Sequence, residues 1–334
     1  MKALLCEKYG PPESLTYRDI EDPKMDDNLV LVDIYSASVN FPDVLMIEDK
    51  YQFKPELPFA PGGEASGVIT EIGKNISDLK KGDRVIVSSG FGAFAEKIAV
   101  DRGAITTIPD TMSHDIGAAF LMTYGTSHHA LKDRAKIQAG ETLFVLGAAG
   151  GVGLAAIEIG KAMGAEVIAA ASSEEKLSIC KDHGADKTLL YSTGKMEREE
   201  QKKFSDRIKE LTNGKGADVV YDPVGGDYAE PSLRATAWEG RYLVIGFAAG
   251  DIPRIPLNLS LLKGCQIVGV FWGAFKGRSP EAHNKNIKEL MEMFEKGLLR
   301  PHISSTYPLK EGHKAIEDLA HRKAKGKVIV QVKV

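Results

Sequence analysis

The stretch LFVLGAAGGVGLAAIEIGKAMGA (residues 143–165) decides the fold, because it runs from an apolar strand through a tight small-residue turn into a helix. The turn places Ala148, Gly150 and Gly153 at the three small positions of a dinucleotide-binding pattern. Gly150 lets a pyrophosphate approach the helix N-terminus, and Gly153 lets the helix pack closely on the strand. The strand EVIAAA follows where a βαβ unit requires it, which favours a dinucleotide site over a glycine-rich turn without a ligand.

The residues after that second strand bear on the choice of cofactor. NAD-preferring sites carry an Asp or Glu about 20 residues beyond the turn, whereas this sequence has Ala171. Ser172 and Lys176 could give a 2′-phosphate a hydrogen bond and a positive charge, which favours NADPH over NADH. An alternative is a capping box, with Ser172 as N-cap and Glu175 at the third helical position, and both interpretations can hold together.

The pattern changes on either side of this region. Up to about residue 100, short β-type runs are separated by turn signals, as is typical of an antiparallel or barrel-like domain. After about residue 115, strands and helices alternate, which indicates a parallel doubly wound sheet. The sequence therefore predicts an α/β protein with two dissimilar domains.

Composition excludes several classes of function. The 334 residues include 43 Lys and Arg against 46 Asp and Glu, so the net charge of -3 gives no field that attracts nucleic acid or a membrane. The N-terminus turns polar too early for a signal peptide, and no apolar run approaches the length of a membrane span. Cys6, Cys180 and Cys265 are scattered without a CxxC pair, which favours a reducing, cytoplasmic setting.

Six segments make the chain resemble the zinc-free quinone oxidoreductases, the zeta-crystallin-like branch of the medium-chain dehydrogenase/reductase superfamily. They are VNFPDVLMIEDKY (39–51), PFAPGGEASGVITEIG (58–73), KKGDRV (80–85), AAGGVG (148–153), YDPVGG (221–226) and VGVFWGAF (268–275). The resemblance implies a Rossmann dinucleotide-binding domain at 122–272 and a discontinuous, β-rich GroES-like catalytic domain formed by 1–121 and 273–334. It also implies a homodimer in which the strand CQIVGVFW (265–272) pairs with its copy.

The same resemblance assigns individual residues. The catalytic residues that it implies are Asn40, Tyr51 and Thr126. The cofactor contacts that it implies are Ala149, Gly150, Gly151, Val152, Ser172, Lys176, Tyr191, Phe247, Phe271, Trp272 and Lys327. Tyr191 could instead simply end a strand, Phe271 and Trp272 could be core residues, and Tyr51 could be an ordinary half-buried tyrosine.

Zinc is not expected. The zinc-dependent branch has a Cys ligand where this chain has Asn40 and a His ligand where it has Gly63, and neither residue here can ligate tetrahedral zinc. His128 and His129 are adjacent on a helix and cannot chelate together, so we expect one packed and one solvated imidazole. Glu64 is expected to be a buried structural carboxylate.

Without a Lewis acid, the remaining chemistry is hydride delivery to an acceptor that is already electrophilic. The resemblance implies NADPH-dependent reduction of a small quinone, enone or alkenal, with the proton coming from Tyr51 or solvent. A second hypothesis is enoyl-thioester reduction, with a CoA arm attracted by Lys276, Arg278, Lys285 and Lys288, although a solvated helix face explains these residues equally well. A third hypothesis is a non-enzymatic NADPH-binding or structural protein.

Overall fold

The computed structural model describes residues 1–333, which divide into two compact units. Unit 1 combines residues 1–122 with the chain from Pro301 onward, and unit 2 is Thr123–Arg300. The strands are β1 Lys2–Leu5, β2 Thr16–Asp19, β3 Leu29–Ser38, β4 Glu64–Ile72, β5 Arg84–Ser88, β6 Lys97–Asp101, β7 Ile105–Thr107, β8 Thr142–Val145, β9 Glu166–Ala171, β10 Lys187–Leu190, β11 Ala217–Asp222, β12 Thr236–Val244, β13 Gln266–Gly269, β14 Ile303–Pro308 and β15 Lys327–Gln331.

The helices differ widely in length. They are α1 Phe41–Ile47, α2 His114–Ala118, α3 Thr126–His128, α4 Gly151–Ala162, α5 Glu174–Asp182, α6 Arg198–Leu211, α7 Ala229–Arg234, α8 Asn258–Lys263, α9 Trp272–Arg278, α10 Pro280–Glu295 and α11 Gly312–Ala320. Two π-helical turns, Leu121–Gly125 and His129–Arg134, flank α3 and continue it in both directions. Within residues 1–333, no helix is both long and apolar enough to cross a membrane.

Unit 1 is β-rich, as the short apolar runs predict. Over its described residues, seven strands form a sheet that is antiparallel except where β14 pairs with β15, and β1 pairs separately with β2. The central strand β3 is rich in Val, Leu and Ile, which suit a pleated, buried surface. Its register places both Glu64 and Ile329 opposite Ser38, so β4 and β15 bring their side chains to the start of α1.

Unit 2 confirms the prediction of a Rossmann-type sheet. Its described part contains six parallel strands in the order β10-β9-β8-β11-β12-β13, with helices in the connections. The strand order reverses between β8 and β11, and ligands of such sheets bind at the carboxyl ends of strands near this point. The turn after β8 and the end of β9 both lie at that edge.

The structural division falls at residue 300, whereas the prediction returned the chain to the β-rich domain at residue 273. Hydrogen bonds explain why α10 stays with unit 2. Asn286 accepts from Lys132 Nζ at 2.8 Å and donates to Asp133 Oδ2 at 2.7 Å, which joins α10 to the π-helical turn 129–134. These contacts are between side chains far apart in sequence, and helical periodicity carries no information about them.

The predicted strand 265–272 is shorter in the structure. β13 ends at Gly269 and α9 begins at Trp272, so the aromatic pair of this segment lies at the start of a helix. β13 is an edge strand of its sheet. Several large apolar side chains of unit 2 are exposed, and they are Leu190, Trp238, Ile252, Leu257, Leu261, Leu262, Ile267, Phe271 and Leu298.

Candidate functional site

The glycine turn, residues 147–152, closes β8 onto α4. The Ala148 N–H donates to Ala170 O at 2.9 Å, and the Gly150 N–H donates to Gly147 O at 3.0 Å. Gly150 is the N-cap residue of α4 and, being glycine, has no side-chain oxygen with which to cap the helix. The first N–H groups of a helix have no intrahelical acceptor, so an anionic ligand at this turn could accept hydrogen bonds from those of α4.

The glycines of this turn serve different purposes. A Cβ added at Gly153 would lie only 2.6 Å from Ala148 O, so glycine is required there for close packing. The helix makes this close contact with the turn, and the prediction had placed it on the strand. A Cβ added at Gly150 would have Gly147 O as its nearest described neighbour, at an ordinary 3.4 Å. Internal packing thus demands glycine at 153 and tolerates a side chain at 150. The open space at Gly150 fits the close approach of a pyrophosphate.

The β9 corner consists of Ala171, Ser172, Lys176 and Tyr191. Lys176 Nζ donates to Ser172 Oγ at 3.4 Å, and the Tyr191 N–H donates to Ala171 O at 3.1 Å. These contacts gather the predicted 2′-phosphate residues at the carboxyl end of one strand. Tyr191 directly follows β10, and its half-buried ring packs 5.0 Å from that of Tyr228, so it also has a structural role.

The capping alternative was wrong by one residue. The N-cap of α5 is Ser173, whose hydroxyl accepts from the Lys176 N–H at 3.3 Å, and the helix begins at Glu174. Ser173 has extended backbone (φ -153°, ψ 156°), as an N-cap requires. The Ser172 hydroxyl therefore lies outside the cap and faces the Lys176 ammonium.

Thr126 is the half-buried member of an otherwise buried segment, residues 123–131, and begins α3. Trp272 is 4% exposed and covers Gly125, where an added Cβ would lie 2.7 Å from the indole. Its core role therefore matches the alternative considered from the sequence. Phe271 is 60% exposed, and the half-buried Phe247 packs on Gly225 after β12.

The expectation of one solvated histidine was wrong, since His128 is 1% and His129 6% exposed. They do point in different directions, because His128 Nε2 lies 3.4 Å from Glu289 while His129 stacks on Phe275 and bonds Asp133. Helices α9 and α10 cover both rings. Burial lowers the pKa of His128 to about 4, so that ring is neutral at physiological pH. Among residues 1–333, no group of three or more His, Cys, Asp or Glu side chains could hold a metal ion.

The unit 1 polar cluster consists of Ser38, Asn40, Asp43, Glu64 and Lys327, all buried. Lys327 Nζ donates to Asn40 Oδ1 at 2.7 Å and lies 3.5 Å from Glu64 Oε2. Ser38 Oγ donates to the same carboxylate oxygen at 3.1 Å. The Lys327 ammonium thus fixes the orientation of the Asn40 amide. Glu64 is the buried structural carboxylate expected from the sequence.

Asp43 belongs to this cluster, although the sequence pattern alone did not single it out. Asn40 is the N-cap of α1, and its N–H donates to Asp43 Oδ2 at 2.7 Å in a capping box. The spacing of Asn and Asp three residues apart before an apolar helix was the available signal. Burial raises the pKa of Asp43 to about 7, and burial lowers the pKa of Lys327. Burial and then the charge of Asp43 raise the pKa of the half-buried Tyr51 phenol.

Two protein families match this chain. The family described as "Alcohol dehydrogenase GroES-like domain" matches residues 26–110, and the family described as "Zinc-binding dehydrogenase" matches residues 151–295. Quinone oxidoreductase-like protein 2 of Mus musculus is 38% identical over 99% of this chain and 92% of its own length. Human quinone oxidoreductase is 32% identical over 99% of this chain and 97% of its own length.

Solved structures agree with these relatives. A probable oxidoreductase from Mycobacterium abscessus matches with a TM-score of 0.88 and 36% identity, covering 99% of both chains. Escherichia coli quinone oxidoreductase in complex with NADPH matches with a TM-score of 0.90 and 26% identity, covering 99% of this chain and all of its own. The likeness therefore extends over both units.

Proposed function

Since this chain belongs to the quinone oxidoreductases, the zeta-crystallin-like branch of the medium-chain dehydrogenase/reductase superfamily, we propose that it is an NADPH-dependent, zinc-independent reductase of quinones or activated alkenes. The observation that carries the proposal is the contact of Lys176 Nζ with Ser172 Oγ beside Ala171. This pair offers charge and a hydrogen-bond donor where an acid would repel a 2′-phosphate. The NADPH in the structure of the Escherichia coli relative supports this choice.

Different residues of the chain are proposed to bind the cofactor phosphates and to orient the nicotinamide. Backbone N–H groups at the start of α4, those of Gly151 and Val152, would hold the pyrophosphate beside Ala149 and Gly150. The Gly150 N–H itself donates to Gly147 O within the turn. The β9 corner would hold the 2′-phosphate. Bound NADPH supplies the hydride that an electrophilic acceptor receives. Thr126 and Asn40 are proposed to orient the nicotinamide, and Phe247 and Phe271 to flank it. Trp272 and Lys327 would support Gly125 and Asn40 respectively.

Proton delivery is assigned to Tyr51 or solvent. A tyrosine phenol is protonated at neutral pH, and the raised pKa of Tyr51 does not change this, so it holds a proton that a reduced quinone or enolate oxygen could accept. Replacement by Phe removes the hydroxyl and keeps the ring. Tyr51→Phe should lower kcat if the phenol is the donor, and should leave it unchanged if solvent is.

Zinc independence is proposed because Asn40 and Gly63 occupy the positions at which the zinc-dependent branch has its Cys and His ligands. Asn40 offers an amide oxygen that already accepts from the Lys327 ammonium at 2.7 Å, and a second cation there would be repelled by that charge. An added Cβ at Gly63 would lie 3.0 Å from Gly90 O, so backbone occupies the space of a ligand side chain. Activity is therefore expected to survive exhaustive chelation. Loss of turnover on chelation that zinc restores would contradict this part of the proposal.

A homodimer is also proposed, because the edge strand β13 carries the exposed Ile267 and is followed by the exposed Phe271. Light scattering at micromolar concentration should give twice the chain mass, and a monomer would count against the dimer.

A cytoplasmic setting stays a prediction, supported by three free, buried cysteines.

The deciding experiment measures NADPH oxidation by purified protein with simple quinones, alkenals, enones and short enoyl-CoA esters. Turnover of quinones or enones with NADPH in preference to NADH would support the proposal. Preference for the CoA esters would favour the enoyl-thioester hypothesis. Lys276 packs over Trp272 at 4.8 Å, so Arg278, Lys285 and Lys288, all exposed, would then be the residues to test against the CoA arm. NADPH binding without turnover of any acceptor would favour the non-enzymatic hypothesis.

A further inference from the structure

Glu158 is a buried carboxylate on an otherwise apolar helix face. It lies in the third turn of α4 between the buried Ile157 and Ile159, and its side chain is 2% exposed. A carboxylate in such a position is costly unless several donors reach it. We therefore expect several donors at the carboxylate oxygens of this residue, which lies in the helix that begins at the glycine turn.

Three donors from distant parts of unit 2 converge on Glu158. Oε2 accepts from the Tyr124 hydroxyl at 2.8 Å and from the backbone N–H of Arg300 at 2.8 Å. Oε1 bonds His183 Nδ1, at the end of α5, at 2.7 Å. The chain enters unit 2 at Thr123 and leaves it after Arg300. One carboxylate oxygen thus holds both the second and the last residue of the unit.

Hydrogen bonds to α4 lie on both sides of Thr126. Tyr124 precedes it by two residues, and Ser127, which follows it, donates from Oγ to Val152 O at 2.9 Å. The segment is therefore attached to α4 on both sides of Thr126, once near the first turn of the helix and once at Glu158. These attachment points are six residues apart, about 9 Å along a rigid helix. Helix α4 accordingly sets the position of Thr126 relative to the glycine turn.

We infer that Glu158 is a positioning residue, which through Tyr124 fixes Thr126 relative to the phosphate-binding N-terminus of α4. Its effect on turnover rests on the proposed function, whereas its effect on the segment rests on the contacts alone. Removing the Tyr124 hydroxyl releases the segment from Glu158 and leaves the carboxylate its other donors. The glycine turn and the β9 corner keep all their contacts in that variant.

The test compares Tyr124→Phe with Tyr307→Phe. Tyr307 donates to Asp318 in unit 1 at 2.5 Å, so the control also removes a tyrosine hydroxyl from a carboxylate. Tyr124→Phe should lower kcat about five- to twentyfold, because small misplacements of orienting groups are costly, and should keep the NADPH Kd within about twofold. Amide hydrogen exchange of residues 123–128 should rise at least about threefold. Tyr307→Phe should change none of these quantities.

Substitutions of Glu158 itself give a second arm. Glu158→Gln keeps one oxygen that can accept from Tyr124 and Arg300, so it should retain most of the kcat that Glu158→Leu loses. Unchanged kcat in Tyr124→Phe, with or without faster exchange, would overturn the inference, as would a loss confined to the melting temperature. Wild-type protein that binds NADPH and reduces no acceptor would overturn the proposed function instead. The exchange of residues 123–128 would then decide the anchoring by itself.

Discussion

The unit 1 polar cluster and the β9 corner of unit 2 both pair a lysine with hydroxyl or amide oxygens, yet they are built in opposite ways. Lys327 is buried and donates to Val39 O and Asn40 Oδ1, with Glu64 close by. Lys176 is half-buried and meets the Ser172 hydroxyl at the end of a strand. The buried lysine lies beside a carboxylate of its own protein in the core of unit 1, whereas the half-buried one donates to a hydroxyl at the sheet edge where the cofactor is proposed to bind. The first arrangement orients residues, and the second suits an anionic ligand.

The largest expected effect comes from breaking the buried arrangement. Lys327→Met would leave Glu64 without its cation, and removing one partner of a buried pair typically costs about 3–5 kcal/mol. We expect chemical denaturation to show that loss in the free energy of unfolding. Lys333→Met is the matched control, because Lys333 pairs with Asp33 in the same unit while substantially exposed, and it should cost less than about 1 kcal/mol. Equal losses in the two variants would contradict the distinction between buried and exposed pairs.

The half-buried lysine should affect ligand affinity instead of stability. A charge-assisted hydrogen bond contributes about 1.5–3 kcal/mol, so Lys176→Ala should weaken NADPH binding roughly ten- to a hundredfold and leave NADH binding nearly unchanged. Fluorescence titration at fixed salt measures both affinities. Lys181→Ala, an exposed change on the same helix, should alter neither. Ala171→Asp should shift the preference toward NADH, and equal affinities of the wild-type protein for both cofactors would refute this role of the corner.

The pH dependence of the free energy of unfolding is a second test of the unit 1 polar cluster. The folded-state pKa of Asp43, about 7, lies above the value of about 3.9 for an unfolded aspartate, so folding takes up a proton between these values. The contribution of Asp43 is fully present below pH 4 and is lost as the pH rises towards 7, by up to about 1.4 kcal/mol per pH unit. Asp43→Asn should flatten this part of the stability profile. The assignment would be disproved if the free energy of unfolding rose between pH 4 and 7 by as much in the wild-type protein as in Asp43→Asn.

The smallest expected effects distinguish the roles of two neighbouring serines, Ser172 and Ser173. Ser173 caps α5, so Ser173→Ala should cost about 0.5–2 kcal/mol of stability and leave cofactor affinity unchanged. Ser172→Ala should leave the melting temperature unchanged and weaken NADPH about two- to tenfold, the value of one ordinary hydrogen bond. Thermal unfolding and fluorescence titration of both variants complete the comparison. The opposite pattern would restore Ser172 as the cap.

Local pattern was sufficient wherever neighbours in sequence decide the structure. The strand, turn and helix around Gly150 follow from apolar periodicity and from a turn that packs on its own helix at Gly153. The cap of α5 was misplaced by one residue because Ser172 and Ser173 are equally good capping residues. Their backbone conformations, set by where β9 ends, decide between them.

The sequence by itself therefore determined the two kinds of sheet, the glycine turn and the identities of the residues at the β9 corner. Only the tertiary structure decided that Lys327 bonds Asn40, that both His128 and His129 are buried, and that Glu158 gathers Tyr124 and Arg300. The physical reason is the range of the interactions. Helix and strand periodicity reports contacts a few residues apart, whereas these residues meet across separations of 34 to 287 residues or are covered by distant helices.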